Sequence, residues 1–434
     1  MLSPGSVVEL VVEKPATGGR MVARHDGLVV LVQAAIPGER VRALIDRTGQ
    51  GLAYAMTVEV IEPSPDRRPG LRDWACGGNV YAHISYPRQL ALKAEIVADA
   101  LTRIARLPPE RPIPITGSPE RGYRMRARFH VRGRTMGFFR EGSHTLCDPA
   151  ATGQLLEETG GLLAELQDHL LGGRLAGVTE IELAENVPAA ERALHVELDR
   201  PVTPMGLVEL SRLPTVVGVS AGFGARGERG RPPVRRTVTA GGTPSVLDTI
   251  DLPAAHVQLQ HHAQAFFQAN RYLLSPLASR VVSLVPPGPV VDLYAGVGLF
   301  AASLAASGRT SVVAVEGDRA GAADLRANAA PYGASLVPVE MAVEQYLATR
   351  PVSGDTSIIV DPPRTGMSKE ASSAIAGQKA GTVLYVSCDV ATFARDARRL
   401  ADAGYRLSHL EAFDLFPNTA HVEAVGVFTR HHAQ

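Results

Sequence analysis

Apolar residues recur along this chain with more than one period, and each change of period marks a boundary. Over residues 5–62, short β-branched segments at 7–12, 28–32, 40–45 and 54–61 are separated by turn residues such as Gly18-Gly19 and Pro37-Gly38. That spacing predicts a small β-barrel. Pro63-Ser-Pro-Asp-Arg-Arg-Pro-Gly70 then interrupts the pattern as a turn-rich linker. Across residues 89–107, Leu92, Ile96, Leu101 and Ile104 return at helical spacing and predict one helix. Residues 108–250 are mixed, with strand-like stretches at 123–131 and 180–183 and a helical piece at 153–170.

Beyond about residue 255 helix and strand alternate. A helix is expected at 263–274, then short apolar strands at 290–294, 311–316, 357–361 and 383–387. Such strands between helices predict a mostly parallel sheet covered on both faces. Ligands of these sheets bind at the carboxyl ends of the strands, where the turn running from Asp292 to Gly298, Glu316, Asp361 and Cys388 all fall. The resulting division is a barrel over 1–63, a linker and helix over 64–107, a central α+β domain over 108–254 and an α/β domain over 255–434.

At 434 residues the chain exceeds one ordinary core, and 45% hydrophobic with 20% charged residues is the balance of a folded protein. A formal net charge of +0 gives no global attraction to polyanions, so any such site must come from local clustering. Clusters exist: Arg121, Arg124, Arg126, Arg128, Arg132, Arg134 and Arg140, and later Arg226, Arg229, Arg231, Arg235 and Arg236. Either run is explicable as solvated surface. The alternation of Arg124, Arg126 and Arg128, however, would set three guanidinium groups on one face of a strand as a phosphate-binding stripe. The second run, rich in Gly and Pro, reads as a loop.

Three cysteines isolated in sequence make no disulfide framework and point to a reducing, cytoplasmic setting. The N-terminus lacks the pattern of a signal peptide. The most apolar stretch, 281–300, is broken by Pro286, Pro287, Gly288, Pro289 and Asp292 and does not read as a membrane helix.

Gly296-Val-Gly298-Leu-Phe-Ala301 satisfies the pattern of a dinucleotide turn, with Glu316 near the spacing of a ribose-binding acid. An NAD site would put a diphosphate at the helix N-terminus. Asp292, just before the glycines, would oppose a diphosphate and tolerate the cation of S-adenosylmethionine. A tight turn without any ligand is the remaining reading. Cys388 follows an apolar strand and precedes a helix beginning near Ala391, where the positive end of the helix dipole would lower a thiol pKa; the bland reading is a buried small hydrophobe. A thiolate adding to C6 of a pyrimidine makes C5 nucleophilic toward a sulfonium methyl. A carboxylate must then remove the C5 proton, and Glu423 in His421-Val-Glu423 is the candidate, against an alternative as a surface residue of an edge strand.

Taken together, these motifs resemble those of the RNA uracil-5 methyltransferase family, whose members make 5-methyluridine in tRNA and rRNA. The similarity extends over nearly the whole chain. Residues 5–62, with Pro37-Gly-Glu-Arg-Val41, look like the OB-like TRAM barrel. Tyr123-Arg-Met-Arg-Ala-Arg128 and Gly137-Phe-Phe-Arg140 look like the start of the central RNA-binding insertion. Phe266-Phe-Gln268-Ala-Asn270, Asp292 to Gly298, Asp361-Pro-Pro-Arg-Thr-Gly366, Val386-Ser-Cys-Asp389 and His421 to Glu423 match the methyltransferase motifs in order.

The resemblance implies a Rossmann-like class I methyltransferase domain with Cys388 as nucleophile and Glu423 as base. It also implies that Gln268, Tyr294, Gly296, Gly298, Glu316 and Asp361 frame an S-adenosylmethionine pocket. The implied partner is an RNA, held by Arg124, Arg126, Arg128 and Arg140, its target uridine flipped out of the stack. No membrane partner is expected, and the chain is expected to be a monomer.

Many family members carry an iron–sulfur cluster on four cysteines. The matching positions here read Gly70, Cys76, Asn79 and Cys147, so no cluster is expected and the two cysteines are taken as relics or core residues. After the nucleophile the family has Asn-Pro, and this chain has Asp389-Val390, a carboxylate that could raise the thiol pKa.

Rival readings are a base-amino methyltransferase, which would want an aromatic where Arg364 stands and no thiol, and an RNA cytosine-5 methyltransferase. A non-catalytic RNA-binding or ribosome-assembly factor that has kept the fold is the remaining alternative.

Overall fold

The computed structural model describes residues 2–69, 73–200, 204–224, 235–352 and 354–430. Five strands, β1 (Val7–Pro15), β2 (Met21–His25), β3 (Leu28–Gln33), β4 (Arg40–Gly49) and β5 (Leu52–Glu62), close into a barrel in the order β1-β2-β3-β5-β4. Strand β2 is an addition to the four expected segments. Its inward Met21 and Ala23 are buried, but five residues between glycine turns give too short an alternation to stand out.

Helix α1 (Tyr86–Ala100) runs into a π-helical turn, Leu101–Ala105, ended by Arg106 in the left-handed region at φ 56°. The single helix expected over 89–107 is therefore two elements, and Ile104 lies exposed rather than on the apolar face. Ile96, Val97 and Leu101 pack into the same core as Val291, Leu293, Val360 and Tyr385 of the C-terminal sheet, so this segment is part of that sheet's covering layer.

The first strand of the large C-terminal sheet in sequence is the short β6 (Ile115–Thr116). The central sheet is built from β7 (Arg126–Arg132), β8 (Thr135–Phe139), β9 (Leu146–Cys147), β10 (Val178–Glu185), β11 (Arg192–Leu198), β12 (Val216–Gly224) and β13 (Arg235–Gly242), in the order β13-β12-β11-β10-β7-β8-β9. Helix α2 (Glu157–Leu171) contributes Leu162, Leu163, Leu166 and Leu170 to its core, and α3 (Pro204–Leu210) adds Leu207 and Leu210. A hairpin of β14 (Ser245–Leu252) and β15 (Ala255–His262) joins this domain to the next. Arg226, Arg229 and Arg231 of the second basic run lie outside the described residues.

A helix was expected at 263–274, but residues 263–273 are extended or turned. Met125 N–H donates to Ala269 O and Arg271 N–H to Tyr123 O, drawing this segment against the chain entering β7. The Asn270 side chain accepts from Tyr272 N and Leu273 N and starts α4 (Leu274–Leu284) where the expected helix ends.

The remaining elements are β16 (Val290–Leu293), α5 (Leu299–Ala306), β17 (Val312–Glu316), α6 (Arg319–Ala329), β18 (Leu336–Glu340), α7 (Val343–Thr349), β19 (Ser357–Val360), α8 (Lys369–Gly377), β20 (Thr382–Ser387), α9 (Val390–Asp402), β21 (Tyr405–Phe413) and β22 (Glu423–Arg430). The sheet order is β18-β17-β16-β19-β20-β22-β21-β6. Strands β16 to β20 pair in parallel, while β22 inserts antiparallel between β20 and β21. Every residue of β16, β19 and β20 is buried, as continuous apolar strands between two helical layers must be. Because β22 is internal, Glu423 at its start is 2% exposed, which removes the edge-strand reading of that residue.

Candidate active site

The carboxyl ends of β16, β17, β19 and β20 open into one cavity of about 680 Å³, roofed by the strand face of β7. Cys388, Glu423, Asp361, Gln268, Tyr294, Gly296 and Glu316 line it together with Arg124, Arg126 and Arg128. Two of the expected site residues do not. Gly298, at φ 95°, makes the tight turn into α5, and a Cβ there would stand 2.7 Å from Leu325 Cδ1, so its role is helix packing. Arg140 lies on another part of the central domain, paired with Asp73.

Asp292 is likewise behind the wall. Fully buried, it accepts from Ala301 N–H at 3.1 Å and ties the base of α5 to β16. Burial, then the charge of Asp361, pushes its carboxyl well above the usual carboxylate range. Asp292 was read as a carboxylate that tolerates the cofactor's cation; the contact it makes in the structure is this structural one to α5. The turn itself is strained where it meets the cavity: Tyr294, with a side chain, holds φ 60°, beside Gly296 at φ 56°. Glu316 at the end of β17 accepts from Gly296 N–H at 2.7 Å and Asp318 N–H at 2.6 Å, which fixes its carboxylate at the rim.

Cys388 is the free cysteine, at the end of β20. The helix dipole was expected to lower its pKa; burial instead pushes the thiol up to about 12, with Glu423 and Asp361 adding to the rise. Desolvation and two carboxylates outweigh a helix terminus whose effect decays within one turn. The largest influences on the sulfur are burial, Glu423, Asp361 and Arg364, and the observed contact of Asp389 is a different one. Asp389 is the N-cap of α9, its carboxylate accepting from Thr392 N–H at 2.8 Å, and so takes a structural role the sequence reading did not foresee.

Arg364, to which the sequence reading gave no role, stands beside the sulfur and opposes the rise by its charge and by a hydrogen bond. The signal was present in Asp361-Pro-Pro-Arg364, where two prolines fix the chain between a buried carboxylate and a cation. Asp361 is raised to about 7 by burial, against a hydrogen bond from Gln268 Nε2 at 3.3 Å. Glu423 is raised well above the carboxylate range by burial and then by Asp361, with Arg364 in opposition. Two buried carboxylates in one cavity resist ionising together.

A test follows from the sign of the Arg364 effect. A cation favours the thiolate, so Arg364→Met raises the thiol pKa further and lowers the thiolate fraction at a given pH. Iodoacetamide labelling of Cys388 is expected to speed up about tenfold per pH unit between pH 7 and 9 in the native protein, and to be several-fold slower in the variant. Equal or faster labelling of the variant counts against this arrangement.

The stripe is also altered from its expected form. Arg124, Arg126 and Arg128 share one face, but Arg124 bonds Gln154, Arg126 bonds the carbonyls of Ala263 and Ala265, and Arg128 pairs with Glu182. Phe266, 66% exposed, and Phe416, on the loop before β22, complete the rim.

Cys76 and Cys147, expected to be relics or core residues, are both buried and joined by a disulfide across 71 residues. The bridge of Cys76 to Arg140 and the pairing of Cys147 with Phe138 bring the two together. This corrects the reading of the three cysteines as isolated: Cys76 and Cys147 belong to different expected domains, 64–107 and 108–254, and only the fold brings them together.

Parallel strands in the order β18-β17-β16-β19-β20 with β22 inserted antiparallel before β21, a glycine turn after β16 and an acid at the end of β17 make the fold expected of a class I methyltransferase. Comparisons with known proteins narrow the class. The tRNA (Uracil-5-)-methyltransferase family profile matches residues 354–432, and the TRAM domain profile matches residues 2–57. The 23S rRNA (uracil(1939)-C(5))-methyltransferase RlmD of Alkalilimnicola ehrlichii is 32% identical, covering 98% of this chain and 97% of that one. That of Methylococcus capsulatus is 30% identical with 98% of each chain covered. In fold, the Pyrococcus abyssi tRNA (uracil-54, C5)-methyltransferase, solved in complex with S-adenosyl-L-homocysteine, aligns at a TM-score of 0.72 and 22% identity, over 97% of this chain and all of that one. The chain belongs to the RNA uracil-C5 methyltransferase family.

Proposed function

We propose that this protein transfers a methyl group from S-adenosylmethionine to C5 of a uridine in rRNA or tRNA, with Cys388 as nucleophile and Glu423 as base. The observation that carries the reading is the cavity shared by thiol, base, Asp361 and the arginine face of β7. Gln268, Tyr294, Gly296, Glu316 and Asp361 suit the cofactor. Gly296 leaves its nearest neighbour, Phe266 O, 3.6 Å from where a Cβ would stand, and Glu316 is a fixed acceptor at the rim. Bound there, the cofactor supplies an electrophilic methyl.

The residues act as follows. Cys388 loses its proton, and Sγ bonds C6 of the uracil, moving electron density to C5. Arg364 stabilises the thiolate against the surrounding carboxylates. Once C5 carries both methyl and proton, ionised Glu423 takes the proton, the C5–C6 double bond re-forms and Sγ leaves. Both Cys388 and Glu423 act in their charged forms and both are shifted upward, so turnover rises with pH across the neutral range.

An iron–sulfur cluster does not fit the residues present. The sulfurs of Cys76 and Cys147 are bonded to each other, and Asn79 offers an amide that donates to Asp73 O. Gly70 lies outside the described residues.

The test is nucleoside mass spectrometry of RNA from a deletion strain after incubation with the protein and cofactor. 5-Methyluridine is expected. 5-Methylcytidine would support the cytosine reading, and no methylated nucleoside would support a binding-only factor. The same protein, purified anaerobically, is expected to contain no stoichiometric iron or sulfide.

A further inference from the structure

The strand face that roofs the cavity continues past it. Alternation along β7 sends Arg126, Arg128, His130 and Arg132 to one side and Ala127, Phe129 and Val131 into the central core. On that outer side the ring of His130 stacks on Phe139 at 3.7 Å, with the planes 6° apart. His144, in the turn after β8, meets Phe139 edge-on at 5.1 Å, and the Arg132 guanidinium lies 5.5 Å from the centre of the same ring.

Arg132 and His144 are exposed, and His130 and Phe139 half-buried. Glu180 and Glu182 on β10 close one flank by pairing with His130 and Arg128. Glu197 on β11 lies opposite Glu180 on the same face, so the four guanidinium groups of Arg124, Arg126, Arg128 and Arg132 meet three carboxylates. At about 3.3 Å per residue, Arg132 is about 13 Å along the strand from Arg128 at the cavity, within reach of a near neighbour of the target.

We propose that His130, Phe139, His144 and Arg132 form a stacking platform for an unpaired nucleotide flanking the target uridine, its base on the aromatic rings and its phosphate on Arg132. This rests on the RNA reading above. A uridine pulled from its stack leaves its neighbours unstacked, and an aromatic surface replaces part of what they lose. Such platforms are tolerant of sequence, since every base has a π-face.

The experiment measures the Kd of a fluorescein-labelled oligouridylate of about twelve nucleotides at fixed salt, with the full chain and S-adenosylhomocysteine present. A Phe139→Leu, His144→Ala double variant is expected to weaken binding about 5–50-fold. Arg132→Glu, on an exposed side chain, keeps the proposal testable should the double variant not fold. It is expected to weaken binding severalfold and to flatten the salt dependence. An RNA duplex of equal length is expected to compete about tenfold less well than the single strand. The KM for hypomethylated RNA should rise more than kcat falls.

Unchanged Kd in the folded variants, equal competition by duplex, or no oligouridylate binding by the native protein overturns the platform. Native protein that binds RNA and transfers no methyl group would instead overturn the catalytic reading, leaving the Kd comparison to judge the platform.

Discussion

Cys388→Ala is expected to reduce methyl transfer by about four to six orders of magnitude, the scale seen when a covalent nucleophile is removed. C5 of uracil is a poor nucleophile until sulfur adds at C6, and Cys388 is the one cysteine without a covalent partner. The same variant should form no denaturation-stable complex with RNA containing 5-fluorouridine. In the native protein that complex persists, because fluorine at C5 leaves no proton for the base to remove. Methylation retained in Cys388→Ala would remove the mechanism.

Glu423→Gln should behave differently, and the contrast identifies the role. Gln fills the same buried volume at the start of β22 but accepts no proton. Addition and methylation are allowed, elimination is blocked, and the chain should remain bonded to ordinary RNA through Sγ, visible as a slow-migrating band on a denaturing gel. Turnover should fall by about 10²–10⁴-fold. A variant with neither turnover nor adduct would place Glu423 at an earlier step, as acceptor of the thiol proton. Native turnover would deny it any role in proton transfer.

Much of this site was legible in the sequence, and its limits have physical causes. Parallel strands buried on both faces announce themselves as short apolar runs, which is why β16, β17, β19 and β20 were readable, along with the polar residues that gather at their carboxyl ends. Strand β18 carries Pro338, which argues against a strand, yet it lies at the sheet edge where a missing N–H is tolerated. The segment 263–273 has apolar residues at helical spacing, but its partner is 123–125, more than a hundred residues earlier, and that long-range pairing overrides the local pattern.

Electrostatics was the least legible. A helix N-terminus beside Cys388 pointed to a lowered thiol pKa, whereas the rise comes from burial, Glu423 and Asp361, groups distant in sequence. Asp389, adjacent in sequence, caps α9 through Thr392 N–H. Proximity along the chain was a poor guide to proximity of charge.

The packing of α1 bears on how this protein can be divided. Lys93 on that helix and Asp414 at the end of β21 form an ion pair with both side chains at 0% exposure. Lys93 also donates to Phe416 O, and the Gln89 side chain bonds both Asn418 N and Asn418 Oδ1. A C-terminal half expressed without α1 would lose the partner of Asp414 and open to water the apolar surface of Val291, Leu293, Val360 and Tyr385 against which Ile96, Val97 and Leu101 pack, a loss set against the small margin that keeps a domain folded. The catalytic lobe thus has no independent existence to be trimmed to, transplanted or recombined: a helix lying ahead of the whole central domain has to travel with it.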